Sequence, residues 1–402
     1  MQRNVFGRLF VYEWKKLLGR RLVQVAAIGM LLLSALVVMG PFLDDVCSGP
    51  DAYGVTWEQD AKWRKELDGR VIDQKLLNEM AEAYGMVPWN DGKYSRTEEY
   101  QQYARPYSGI FNTVRSFLGM TTKTMFSWEP EEQQFYEFWK RNLEYTWENS
   151  YLTEEEIVFY RNLQADVAIP FTYEYISDGW WELQEGLNTF GIIWTLVIAL
   201  CLSGIFPEEH IRKTDQLILA SRNGRKKQYC AKTLAGLVFA AVLSLLSGAL
   251  ALGLAVGLYG IDGMDASFLF VFSNYIYPLT IGRAVIIGIL VITAANIIVG
   301  AVTMLLSEVF RTGMSAFAVI TAVILAGMFI NVPPVYRLWS QLWDSIPGRF
   351  TMIYNMFSIN TVPVFGRCFM QWQVVPVVYL LLAAVIAFAG KHVYLKYEVS
   401  GR

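Results

Sequence analysis

The chain has 402 residues, 54% of them apolar and only 17% charged, with a formal net charge of −2. Soluble domains carry about 25% charged residues, so the composition excludes a purely soluble protein, while the near-neutral total says nothing about partners. The charge is gathered into a few segments separated by long uncharged runs.

The first segment, residues 1–22, is basic: Arg3, Arg8, Lys15, Lys16, Arg20 and Arg21 stand against a single acid, Glu13. Its apolar side chains include Val5, Phe6, Leu9, Phe10, Trp14 and Leu17. Residues 23–43 are the first of six apolar runs, and a helix needs about 20 apolar residues to cross the hydrocarbon. The run exceeds the roughly 7–15 residues of a signal-peptide core and no small-residue cleavage site follows it, so it reads as a retained anchor.

Residues 44–186 form a long insertion with about twice as many acidic as basic side chains. Thr56 with Gln59, and Thr153 with Glu156, have capping-box spacing. Phe135, Phe138, Trp139 and Leu143 repeat at helical intervals, so the insertion is expected to be mainly helical. Trp57, Trp63, Trp89, Trp128, Trp139 and Trp147 supply a small core, the other reading being a ligand-binding aromatic surface. Trp180 and Trp181 fit an interfacial aromatic belt.

The remaining apolar runs are 187–206, 231–259, 281–306, 314–330 and 374–390. Residues 331–373 are apolar and aromatic but broken by Pro333, Pro334, Pro347, Gly348 and Pro363, which predicts short re-entrant or interfacial helices. The expected fold class is an all-α polytopic membrane protein. It has about six transmembrane helices, with a mainly helical extracytoplasmic domain inserted between the first two.

Orientation follows the basic residues, which favour the cytoplasmic side. The N-terminal segment, the loop 207–230 (Arg212, Lys213, Arg222, Arg225, Lys226, Lys227), Arg311 and the tail 391–402 (Lys391, Lys396) all go inside. Both termini are therefore expected in the cytoplasm. Arg337, Arg349 and Arg367, with only Asp344 against them, run counter to the rule in the outer segment. Cys47 and Cys368 both fall outside, and their pairing stays open. Cys201 reads as a packing residue, no CxxC occurs, and Cys47 lacks the small apolar residues of a lipoprotein signal.

No GxxxxGK[ST], HExxH or GxSxG motif is present, and two histidines do not make a histidine-rich site. Asn296, mid-span, predicts a bond across a helix pair, with a substrate contact as the alternative. No series of intramembrane carboxylates offers an ion or proton relay. An active transporter of this kind would draw its energy from outside, through a cytoplasmic contact.

The loop FPEEHIRKTDQLILASRNGRKKQYCAKTL is the most informative stretch. Pro207 closes the second span, Glu208 and Glu209 follow at the membrane surface, and residues 215–221 suit a short helix. Asn223–Gly224 make a turn before basic residues lead through Lys232 into the third span. A short projecting helix can dock on a soluble partner and pass its motion to two spans.

This loop resembles that of the ABC-2 type permeases, the membrane subunits of type V ABC exporters. It has a glutamate after the second span (Glu209) and Lys213–Thr214 at the position of a Gly-Thr pair. The apolar run from Leu217 to Leu219, Ser221–Arg222, Arg225 and a lysine opening the third span (Lys232) follow. The N-terminal FVYEWKKLLGRR is similar to the family's amphipathic entry helix, which implies that Val5, Phe6, Leu9, Phe10, Trp14 and Leu17 lie in the inner membrane interface. The resemblance implies an ATPase-coupling set of Glu208, Glu209, Thr214, Leu217, Ser221, Arg222, Arg225 and Lys232. It also implies a gating role for the helix carrying Phe6, Phe10, Glu13 and Trp14.

The same resemblance implies a second permease chain, identical or homologous, and a separate ABC ATPase subunit that holds ATP and Mg. This chain would itself be no enzyme, bind no cofactor or metal, sit in the lipid bilayer and touch no nucleic acid. The expected function is ATP-driven movement of an amphipathic or peptide-like substrate across a plasma membrane. A bacterial inner membrane is the expected setting, and export or self-protection such as antimicrobial-peptide resistance the expected purpose. The alternative is an ABC-linked sensor or mechanotransmission component that moves its extracytoplasmic domain without passing a substrate.

Overall fold

The computed structural model describes residues 3–51, 53–90, 92–211 and 226–396. Helix α1 (Arg3–Leu18) turns at Gly19–Arg20 into α2 (Arg21–Ser48). The insertion holds α3 (Trp57–Lys65), α4 (Gln74–Gly85), α5 (Ser108–Leu118), α6 (Thr122–Met125), α7 (Glu132–Asn149) and α8 (Glu154–Ala165). Then come α9 (Asp178–Ser203), the short α10 (Pro207–Ile211), α11 (Lys226–Tyr259), α12 (Ile281–Phe310) and α13 (Gly313–Phe329). The chain closes with α14 (Arg337–Asp344), α15 (Ile353–Met356), a two-stranded hairpin of β1 (Thr361–Val364) and β2 (Arg367–Met370), and α16 (Gln371–Lys396).

Five of these helices, α2, α9, α11, α12 and α16, are long and apolar enough to cross a membrane. Helix α12 lies at the centre of the bundle against α9, α11, α13 and α16. In its most apolar stretch 72% of residues are buried, against 22% in α2 and in α16. Those two helices therefore show apolar side chains to the surroundings, as lipid-facing helices do. The close packing rests on small residues, as in membrane bundles generally: a Cβ at Gly300 of α12 would lie 2.8 Å from Leu202 of α9.

Polar pins hold the helices in register. Asn296 of α12, fully buried, donates to Ser244 Oγ of α11 (2.8 Å) and accepts from Thr195 Oγ1 of α9 (2.9 Å). Trp194 Nε1 donates to Ser34 Oγ, joining α9 to α2 at 2.9 Å. The cross-helix bond expected of Asn296 is thus made, to two helices at once.

The fifth apolar run, 314–330, forms α13, whose 17 residues span about 25 Å at 1.5 Å per residue, short of the roughly 30 Å hydrocarbon thickness. The connection that follows it dips into the bundle. Thr351, fully buried, packs on Gly191 of α9, where a Cβ would come 2.8 Å from the Thr351 carbonyl oxygen. The Ile353 N–H donates to Asn188 Oδ1 at 2.8 Å. Gly191 lies four residues into the apolar run 187–206, so the irregular backbone at Thr351 packs on α9 and is covered there by protein. Arg349 within it donates to the carbonyls of Gly327 (3.1 Å) and Ile330 (3.3 Å), closing the end of α13, while Asp344 holds its Nε at 2.6 Å. A cation on the last helical carbonyls is the favourable sign for the helix dipole. On helix α14, Leu338, Trp339 and Leu342 all point outward.

Two features differ from the sequence expectation. Residues 331–373 contain the β1–β2 hairpin as well as helices, because Phe365 (φ 50°) and Gly366 (φ 75°) form a two-residue loop with both φ values positive, the geometry that matches strand twist. Phenylalanine at its first position hid that turn. Trp180 does not join an interfacial belt: it is buried and its Nε1 donates to the Ile261 carbonyl at 3.4 Å, whereas the adjacent Trp181 is exposed.

The insertion packs around aromatic rings. Trp139, Phe135 and Leu143 on α7 are buried as their spacing predicts, while Phe138 faces out. Phe117 stacks on Phe171 (5.0 Å), with Trp139 and Phe270 meeting its edges. Both capping boxes form, at Thr56/Gln59 and Thr153/Glu156. Of the six tryptophans named for the core, Trp139 and Trp147 are buried, and Trp57 instead packs between Phe42 of α2 and Tyr259 of α11.

The insertion rests on the other two connections at its end of the bundle. Trp139 Nε1 donates to the Ser273 carbonyl (3.1 Å) in the α11–α12 link, and Tyr160 OH to the Ile359 carbonyl (2.7 Å) ahead of the hairpin. Glu156 pairs with Arg337 and accepts from Thr361. At the opposite end lie α1, residues 204–211, the start of α11, the α12–α13 turn and the last turns of α16. A Cβ at Gly313 there would meet the Ser203 carbonyl at 3.0 Å, and Tyr229 OH donates to the Ala387 carbonyl at 2.8 Å.

Candidate functional site

The end of the bundle that carries α1 holds a buried cluster of charges. Helix α9 stops at Gly204, whose carbonyl accepts from Arg20 Nη2 at 3.0 Å. Pro207 then begins α10, where its missing N–H costs nothing. That places Glu208 and Glu209 in the first turn of α10, the favourable end of a helix for acids. Both turn inward, toward α1 and α11.

Glu209, 4% exposed, is the hub. Its Oε1 lies 2.6 Å from Lys16 Nζ on α1, and its Oε2 pairs with Lys232 Nζ on α11. Lys232 is 0% exposed, and its ammonium also sits over the Phe206 ring, 5.0 Å from the centroid. Burial of an ammonium costs several kcal/mol, and a carboxylate in contact plus an aromatic face are what offset it. Alongside, Gln228 Nε2 donates to Glu13 Oε1, and Glu13 is 3% exposed. Arg20 pairs with Glu208. Three acids and three bases from α1, α10, α11 and the α1–α2 elbow therefore close on one another.

Aromatic contacts extend the block. Phe10 stacks on Trp14 (6.1 Å), and Trp14 meets Phe239 of α11 edge-on (6.3 Å). Phe206 stacks on Tyr229 (5.6 Å), and Tyr394 of α16 lies against both. The short α10 is thus fixed to three spans and to α1, so a displacement of it moves all of them together.

Of the residues singled out in the sequence, the structure brings together Glu13, Trp14, Glu208, Glu209 and Lys232, while Phe6 is exposed and Phe10 half-buried at the far part of α1. Thr214, Leu217, Ser221, Arg222 and Arg225 lie outside the described residues, as do the short helix expected at 215–221 and the Asn223–Gly224 turn. Glu208 and Glu209 are not at an open membrane surface but folded against α1. Sequence reasoning treated Lys16 and Arg20 only as topology signals and did not weigh Gln228. The spacing that could have found them is Glu13, Lys16 and Leu17 along one face of α1 with Arg20 just past its end, and Gln228 with Lys232 one turn apart on α11.

Among the described residues no group of three His, Cys, Asp or Glu side chains is placed to hold a metal. Cys47 and Cys368 are both free thiols. No protein-family model, no curated protein and no solved structure matches this chain.

Proposed function

We propose that this chain is the membrane-spanning permease subunit of an ABC transporter, moved by ATP hydrolysis on a separate ATPase subunit and working beside a second permease chain. In this reading α13 is a sixth, short span completed by the re-entrant segment. The basic end faces the cytoplasm and the insertion is extracytoplasmic in a plasma membrane. The substrate is amphipathic or peptide-like and passes along the interface of the two permease chains.

The observation that carries the reading is the Lys16–Glu209–Lys232 bridge. It joins both roots of the loop 207–230 to α1, so a push on that loop reaches α1, α9 and α11 as one rigid piece. Glu209 and Lys232 act here as positioning residues inside the block, and the contact with the ATPase falls to the loop between them. One observation favours the mechanotransmission alternative: the insertion is tied by Glu156 and Arg337 to the connection entering α16, a direct mechanical link from domain to bundle.

The test is to purify the full chain from its native membrane in mild detergent, identify co-purifying proteins, and measure ATPase activity in nanodiscs. An ABC ATPase in the complex, with activity that drops several-fold in Glu209→Gln while the complex stays assembled, is the expected result. Absence of any ATPase from the complex would overturn the reading.

A further inference from the structure

We propose that the elbow between α1 and α2 is a binding site for one anionic diacyl phospholipid. The inference needs only that the apolar helices sit in a bilayer and does not depend on an ATPase partner. A groove of about 940 Å³ opens there between the elbow, the end of α9 and the start of α13. Its rim is basic, with Lys16, Arg20 and Arg21, and its wall is apolar, with Val23, Met314 and Phe317 among the lining side chains. Met314 is 85% exposed. A polar mouth above an apolar wall, at the end of membrane helices, has the shape of a headgroup over the first acyl carbons.

The charge selects the ligand. The rim's carboxylate, Glu208, pairs with Arg20, and Lys16 is held by Glu209. Arg21 is exposed and its side chain has no ion pair or hydrogen bond among the described residues. Among the described residues the groove therefore presents one unpaired guanidinium, Arg21, next to the Glu208-bound Arg20, and a guanidinium suits a single phosphodiester bidentately. Basic pockets between membrane helices recognise anionic headgroups in this way, and each arginine near the surface strengthens binding about fivefold. A zwitterionic lipid carries its own cation and gains no such increment.

The experiment uses the full chain in detergent with native mass spectrometry, titrating phosphatidylglycerol, phosphatidylcholine and free glycerol phosphate. The expected result is a retained phosphatidylglycerol adduct that phosphatidylcholine does not match and glycerol phosphate does not displace. Arg21→Gln should weaken phosphatidylglycerol about fivefold and leave phosphatidylcholine unchanged, while Arg21→Lys keeps most of the preference. Filling the wall with Met314→Trp should lower occupancy without changing headgroup preference. Equal retention of both lipids, an Arg21→Gln chain indistinguishable from the parent, or displacement by glycerol phosphate would each overturn the assignment.

Discussion

Lys232 lies fully buried near the start of α11 with its ammonium against one carboxylate oxygen of Glu209. The other oxygen of that carboxylate is taken by Lys16, so the pair is the inner half of a three-residue bridge between α1, α10 and α11. Removing one partner of a buried pair is costly because the other charge is left uncompensated, typically about 3–5 kcal/mol. The bridge predicts an order. Glu209→Gln strands two lysines, whereas Lys232→Met leaves Glu209 still paired with Lys16. Thermal unfolding in nanodiscs should show the larger loss for Glu209→Gln, and the double variant should lose less than the sum of the singles. Equal losses, or strict additivity, would mean that the three residues do not act as one bridge.

Asn296 is expected to be a structural pin. Its amide is bonded to Ser244 and Thr195 and no part of it is exposed. Interhelical hydrogen bonds in membranes average about 0.6 kcal/mol and reach about 1.7. Asn296→Leu should therefore destabilise by about 1–2 kcal/mol, since Thr195 can fall back on the Gly191 carbonyl, 2.5 Å away. Calorimetry checks the size, and, on the proposed transport function, ATPase stimulation by added substrate checks the role. A stable variant that has lost substrate response would make Asn296 a substrate contact instead.

What could be read from the sequence follows from the strength of the local signal. The long spans were legible because an apolar run of about 20 residues admits only a helix in lipid, and Thr153 with Glu156 announced α8 by a local hydrogen-bond pattern. The bridge at Glu209 was half legible. The loop sequence marked Glu209 and Lys232, but Lys16 comes from nearly two hundred residues away and its partner depends on the elbow at Gly19–Arg20. The dip of Thr351 onto Gly191 was not legible, because a glycine inside an apolar helix says that something comes close without saying what. The hairpin was hidden by Phe365, which adopts a positive φ that its side chain gives no reason to expect.

Glu156 ties the insertion to Arg337 and Thr361, and its chemistry sets a pH dependence. Burial alone would raise its pKa, but the hydrogen bonds from Arg337, Thr361 and the Thr153 backbone outweigh that and hold it below the usual carboxylate range. A carboxylate whose folded pKa is depressed adds stability that is complete above its unfolded value, about 4.5, and is lost as pH falls through the folded value. Docking of the insertion should thus be unaffected from neutral pH down to about 5 and weaken below about 4.5. Glu156→Gln should lose about 3 kcal/mol at pH 7 and show a flatter acid limb. Hydrogen exchange of the α8 and hairpin amides across this pH range is the measurement. A parent-like acid limb in the variant would show that another group controls the docking.

Gly191 should be the glycine of α9 least tolerant of a methyl group. An added Cβ would stand 2.6 Å from the Thr351 Cβ and 2.8 Å from the Thr351 carbonyl oxygen. A rotamer change cannot relieve a contact with backbone, so the segment carrying Thr351 must itself move away. Overpacking of this kind costs about 1–3 kcal/mol. The displacement would loosen the Arg349 bonds that close α13, because Arg349 and Thr351 share one turn. Gly29 of α2, where a new Cβ meets nothing within 4 Å, is the control. Gly29→Ala should be neutral or slightly stabilising, since alanine is the better helix former by about 1 kcal/mol. Gly191→Ala should lower the unfolding temperature and expose the segment around residues 349–353 to proteolysis. Equal thermal stability of the two variants would mean that the segment does not rest on α9 as described.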